Sequence, residues 1–178
     1  MTLHEFNTLY SIAADKEAVK KQIKNAPKPL KLAGVDIPPN LYKLTLGELV
    51  FLTTFSTDAE MIDNACEVFK ITGILEQPAE DAIGFLNWLQ KELEKIVKMF
   101  TKTNSKPTSE EVQAGIQSLN FGWFGTIDYF AQRMHITHED AEKTSWVKVY
   151  KCLDMDKKVY LFRKRLSQIR NKQHSKKR

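Results

Sequence analysis

No stretch of this 178-residue sequence stays apolar for long. The longest apolar-rich run, LGELVFLTTF, carries Glu48 and falls short of the roughly 18 residues that a membrane span needs. No membrane span is therefore expected, and no membrane-surface partner for the amphipathic tail either, because an acidic body would be repelled from anionic lipid. Cysteine is scarce. Cys66 and Cys152 lie far apart and form no CxxC pair, which reads as two reduced thiols in a cytosol-like compartment. The opening MTLHEFNTLY has no basic region followed by an apolar run, so it does not read as a signal peptide. GxSxG, P-loop and GxGxxG patterns are all missing. Adjacent carboxylates occur at Glu80–Asp81, Glu110–Glu111 and Glu139–Asp140, each in the first turn of an expected helix, where acids serve the helix dipole. No residue is assigned to catalysis, no cofactor is expected, and the chain does not read as an enzyme.

Acidic residues are also missing from one region. None follows Asp156, whereas that last segment carries Lys157, Lys158, Arg163, Lys164, Arg165, Arg170, Lys172, Lys176, Lys177 and Arg178, which is 10 of the 27 basic residues. The formal charge of +5 therefore hides a body, 1–156, with 17 basic against 22 acidic residues, a net of −5. Such a chain is not a generally basic nucleic-acid binder. Its tail would seek an acidic surface: a partner protein, a neighbouring copy, or phosphates.

What is present in abundance is helix punctuation. A Ser or Thr with Glu three residues on satisfies free backbone N–H groups at a helix start, and the pair recurs at Thr2–Glu5, Thr45–Glu48, Thr57–Glu60 and Thr108–Glu111. Thr137–Asp140 is a shorter-armed version, and Pro78 with Glu80 and Asp81 marks another start. These predict helices near 3–25, 46–55, 58–72, 79–102, 109–118, 124–134, 138–153 and 157–171. Ile83, Leu86, Leu89, Leu93, Ile96, Val97 and Phe100 form one stripe, widened by Phe85 and Trp88, as in a central bundle helix. The four prolines of APKPLKLAGVDIPPN predict an extended arm or linker, with a short strand where Leu30, Leu32, Val35 and Ile37 alternate. The expected class is mainly α: an N-terminal helix (1–25), a proline-rich arm (26–40), a helical bundle (41–156) and a basic amphipathic helix and tail (157–178), frayed at NKQHSKKR.

MHITHED, at 134–140, admits three readings. His135 and His138 have spacing suited to a shared metal, with Glu139 beside them. Against this, Thr137 stands between them with a cap signature, and no second ligand cluster follows, so no metal is assigned. IDYFAQRM–HITHED–AEKTSWVKVYKCL has the order helix, turn, helix, with Ala131 at the tight approach. Its reading face would carry Glu139, Asp140, Glu142 and Lys143, and acids there repel phosphates. The preferred reading makes Thr137 the N-cap of an ordinary helix, with acids in its first turn and Ile136 stapling it. In FGWFGTIDYF the aromatics lack interleaved basic residues, which favours core packing or a protein interface over base stacking. Phe121, Trp123 and Phe124 are the interface candidates there, joined by Arg163, Lys164, Arg165 and Arg170 in the tail. Val159, Phe162, Leu166 and Ile169 add an apolar stripe to that tail.

The run AGIQSLNFGWFGTIDYFAQRM–HITHEDAEKTSWVKVYKCL, with the basic FRKRLSQI after it, resembles small helical proteins of tailed bacteriophages. These are head–tail connector, neck or tail components, or tail-assembly chaperones. The resemblance covers about 114–170 and lies in organisation, so no functional residue carries over. It implies a virion protein made in the host cytoplasm, a ring of copies of itself, and partners such as portal or tail subunits. It also implies a basic tail that either docks on protein or meets packaged DNA without reading its sequence. The proline-rich arm departs from the simplest chaperone pattern and would suit reaching across to a ring neighbour. A chaperone, or a helix-turn-helix regulator using 127–153 and the tail, are the alternatives.

Overall fold

The computed structural model describes residues 1–13, 15, 19, 23, 25–104 and 107–175, the last two as backbone alone. The chain is mainly helical. In order come α1 (Leu3–Ile12), a hairpin of β1 (Lys31–Leu32) and β2 (Val35–Asp36), α2 (Leu46–Thr53), α3 (Asp58–Phe69), α4 (Ala79–Thr103), α5 (Ser109–Gln113), α6 (Gly122–Met134), α7 (His138–Lys143) and α8 (Trp146–Ser175). Single 3₁₀ turns stand at Ile74–Glu76 and Ile116–Leu119. Threonine starts many of these helices. Thr2, Thr45 and Thr108 form complete capping boxes with Glu5, Glu48 and Glu111. Thr57 accepts the Glu60 N–H, but Glu60 sends its carboxylate to the Ser56 N–H at 2.6 Å instead of closing the box.

The chain divides into two compact units, Met1–Ile96 and Val97–Arg178, with the division inside α4. In the first unit Leu46, Leu49 and Leu52 of α2, Ala65 of α3, and Ile83, Phe85, Leu89 and Leu93 of α4 are buried. Phe69 sets its ring edge-on to Phe85 at 5.3 Å. Of the stripe expected on α4, Ile83, Phe85, Leu89, Leu93, Ile96 and Phe100 are buried, Leu86 and Trp88 are half-buried, and Val97 is exposed.

The proline-rich segment is no free arm. Its turn, Ala33–Gly34, has positive φ at both residues (49° and 80°), the mirror-image turn that suits a two-residue hairpin. Leu32, Ile37 and Leu41 are buried, and Lys28 places its ammonium 4.7 Å from the Trp88 ring centre. This apolar anchoring, spaced between the prolines, returns the segment to its own unit and removes it as a reach to a neighbour. The helix expected at 3–25 stops at Ile12, where Ala13 turns extended. Much of 14–24 lies outside the described residues.

The second unit gathers around Phe100, whose ring meets Trp123 at 5.1 Å, Tyr150 at 5.8 Å and Trp146 at 6.2 Å. Four expected boundaries shift here. The helix of 109–118 ends at Gln113, because Gly115 adopts φ 81° and the chain tightens into a 3₁₀ turn. The helix of 138–153 breaks at Thr144, whose hydroxyl donates to the Asp140 carbonyl at 2.9 Å while its backbone turns extended. The break lets Trp146 reach the core, where it is 1% exposed. From there α8 runs without interruption through 154–157, where two helices were expected. A change of charge does not end a helix. The span holds no Gly or Pro, and Asp154 pairs with Lys158 one turn on at 2.6 Å. The helix also continues through 171–175, where fraying was expected, and 176–178 lie outside the described residues.

Candidate assembly surface

Thr137 is the N-cap of α7, as its spacing implies. Its hydroxyl oxygen accepts the Asp140 N–H at 3.1 Å, and the hydroxyl itself donates to the Asp140 carboxylate at 2.8 Å. His135 is the left-handed C-cap of α6, φ 54°, standing where a turn glycine is usual. His138 turns to Asp128, with Nε2 3.0 Å from Oδ1, while the other Asp128 oxygen accepts from Gln132. The Phe124 and His138 rings stand nearly perpendicular, their centres 5.4 Å apart. The two histidines therefore serve two helix ends. Among the described residues no three His, Cys, Asp or Glu side chains come together as a metal-holding group. The helix that would read DNA is six residues long and exposes Glu139, Asp140 and Glu142.

The FGWFG aromatics divide. Trp123 is half-buried against Phe100, so it belongs to packing. Phe121 and Phe124 stay outside, 62% and 60% exposed, with Leu119 beside them in sequence at 64%. They sit in a run, 112–127, that contains no charged residue at all. That absence is the signal by which the sequence could have flagged Val112 and Leu119 too. Phe121 and Phe124 remain the candidates for a protein contact among these aromatics.

Asp156 fastens α6 to α8. Arg133 grips it with two nitrogens, Nε at 2.8 Å and a terminal nitrogen at 3.0 Å, and the Tyr129 hydroxyl donates to it at 3.0 Å. The Lys157 ammonium then donates to the carbonyls of Lys102 and Asn104. Beyond this anchorage the character of α8 changes. From Lys158 to Gln173 every side chain but Leu166 is exposed. Arg163, Lys164, Arg165 and Arg170 all stand in this stretch, as the sequence placed them. So do Val159, Phe162 and Ile169, which an isolated chain leaves in water. Lys164 also faces Glu110 at the start of α5. The Glu110 carboxyl is held below its usual range first by its own backbone N–H, then by the Thr108 hydroxyl, with Lys164 contributing. Among the described residues no helix is long and apolar enough to cross a membrane. Compared with family models, with curated proteins and with solved structures, the chain finds no match.

Proposed function

We propose that the chain is a non-enzymatic structural subunit of a tailed-bacteriophage virion, a head–tail connector, ring or tail component that assembles through protein–protein contacts with its own copies and with portal or tail subunits. The observation that carries this reading is the distal half of α8. It is held in place by Asp156 and Lys157, yet it leaves Val159, Phe162 and Ile169 uncovered between arginines and lysines. Exposed apolar residues on a rigid helix cost free energy in water, and a partner that covers them recovers it. The organisation of 114–170, which resembles small phage assembly proteins, supplies the virion context. The exposed apolar residues Leu119, Phe121 and Phe124 favour a second reading, a tail-assembly chaperone that shields apolar segments of unassembled tail protein.

Virion purification separates the two. A structural subunit remains in density-banded, salt-washed particles at a fixed ratio to the portal or tail protein, measured by quantitative mass spectrometry. Absence from particles, with recovery on unassembled tail protein, would give the chaperone. Absence from both would sink the two readings together.

A further inference from the structure

The distal half of α8 specifies the chemistry of what covers it. From Lys158 onward its described residues include Lys158, Arg163, Lys164, Arg165, Arg170 and Lys172, and no acid. Two such helices side by side would oppose like charges, so α8 does not pair with α8. The cover must be acidic, and it must offer apolar surface to Phe162, Leu166 and Ile169, which follow one another at helical spacing.

The α2–α3 hairpin of this chain has both properties. Helix α3 carries Asp58, Glu60, Asp63 and Glu67 and no basic residue before its cap, Lys70. It folds back on α2 as a hairpin held by Asn64, whose amide donates to the carbonyls of Phe51 at 2.8 Å and Thr54 at 3.3 Å. The hairpin leaves Phe51 and Phe55 exposed, 39% and 42%. Glu60 is taken up at the Ser56 N–H, whereas Asp63 and Glu67 stand exposed one turn apart. At about 1.5 Å per residue the twelve residues of α3 present a face of roughly 18 Å, long enough to meet the turns from Arg163 to Arg170. Helix α7 is also acidic, but it is half as long, and Asp140 is engaged by Thr137.

We infer that the distal half of α8 of one copy docks on the α2–α3 hairpin of a second copy, with Arg163 and Arg170 opposite Asp63 and Glu67 and Phe162 and Ile169 against Phe51 and Phe55. Donor and acceptor surfaces differ, so the contact either closes reciprocally between two copies or repeats from copy to copy into a ring or a filament. The inference rests on the reading of the chain as an assembly subunit and names the contact that reading needs.

Charge exchange tests it. The full chain is compared with Asp63→Lys/Glu67→Lys and with Arg163→Glu/Arg170→Glu, all exposed positions, with folding checked by far-ultraviolet circular dichroism. Mass is measured by light scattering over a concentration series at low and high salt. The unaltered chain is expected to associate, and more weakly as salt rises. Each double variant alone is expected to weaken association at least about tenfold. An equimolar mixture of the two variants, and a chain carrying all four changes, are both expected to associate again. A monomeric unaltered chain overturns the inference, as it would if α8 met the hairpin of its own chain. Association that survives either reversal, or a mixture that fails to recover it, overturns it too. A monomer that nevertheless stays in washed virions would remove this contact and leave the proposed function standing, so the two failures are distinct.

Discussion

Gly84 stands in the middle of α4, where glycine costs about 1 kcal/mol relative to alanine. Its reason is steric. A Cβ built there would lie 1.9 Å from the Pro27 carbonyl oxygen and 2.9 Å from its carbon, both backbone atoms that cannot rotate aside. The same stretch of arm is tied on either side, by Asn87 donating to the Ile23 carbonyl at 2.8 Å and by Lys28 donating to the Ile37 carbonyl at 3.3 Å. Gly84→Ala therefore gains helix propensity and loses more by forcing the arm outward. The expected net cost is about 2 kcal/mol, read as a fall of roughly 5–8 °C in the melting midpoint followed by circular dichroism. An unchanged or raised midpoint would mean that the arm does not pack on α4. The sequence hinted at this residue without explaining it. A glycine inside a strong helical stripe signals a close approach, but the four prolines suggested a segment standing away from the body. What they conceal is the burial of Leu32 and Ile37 between them, and burial depends on a partner surface that periodicity within the arm does not reveal.

Among the elements, the caps were legible and the breaks were not. A Thr with an acid three residues on is a local device, satisfied by a few adjacent backbone groups, so Thr2, Thr45, Thr108 and Thr137 could be placed without knowing the fold. The end of α7 and the length of α8 depend on distant residues: Trp146 must reach Phe100, and Asp156 must meet α6. This α6–α8 tie has a titration signature. Burial pushes the Tyr129 hydroxyl above its ordinary value of 10.0, and the hydrogen bond to Asp156 adds to the rise. A proton held more tightly in the folded chain stabilises the fold below the unfolded value. That stabilisation is lost as pH rises through the folded value, because the unfolded chain releases the proton first. The loss begins near pH 10.0, the ordinary value. Tyr129→Phe is expected to be less stable than the unaltered chain at neutral pH and to close that gap as pH rises above the tyrosine range. Urea unfolding at a series of alkaline pH values measures it. A gap that stays constant would show that the Tyr129 hydroxyl does not feel Asp156.

At the scale of the whole chain, the division into an acidic body and a cationic end was visible in composition, because counting charges needs no fold. Where the acidic surface lies was not visible, since Asp63 and Glu67 acquire meaning only once α3 folds back on α2 and leaves Phe51 and Phe55 outside. The cut that isolates the cationic end also comes from the structure. Charge alone placed it after Asp156, yet Lys157 is bonded to the carbonyls of Lys102 and Asn104 and belongs to the body. A chain ending at Lys158 retains that anchor, the Arg133–Asp156 pair and the buried Trp146 and Val149. It keeps 19 basic against 22 acidic residues, so the net charge falls from +5 to −3. The side chains removed are exposed except for Leu166 among those described, and changes confined to exposed positions usually move stability by less than about 0.5 kcal/mol each. The shortened chain is therefore expected to melt within about 3 °C of the full one, and to be missing from washed virions. A much lower melting point would mean that the distal half of α8 is part of its own chain's packing. Normal incorporation into particles would move the assembly contact to the exposed side chains of Leu119, Phe121 and Phe124.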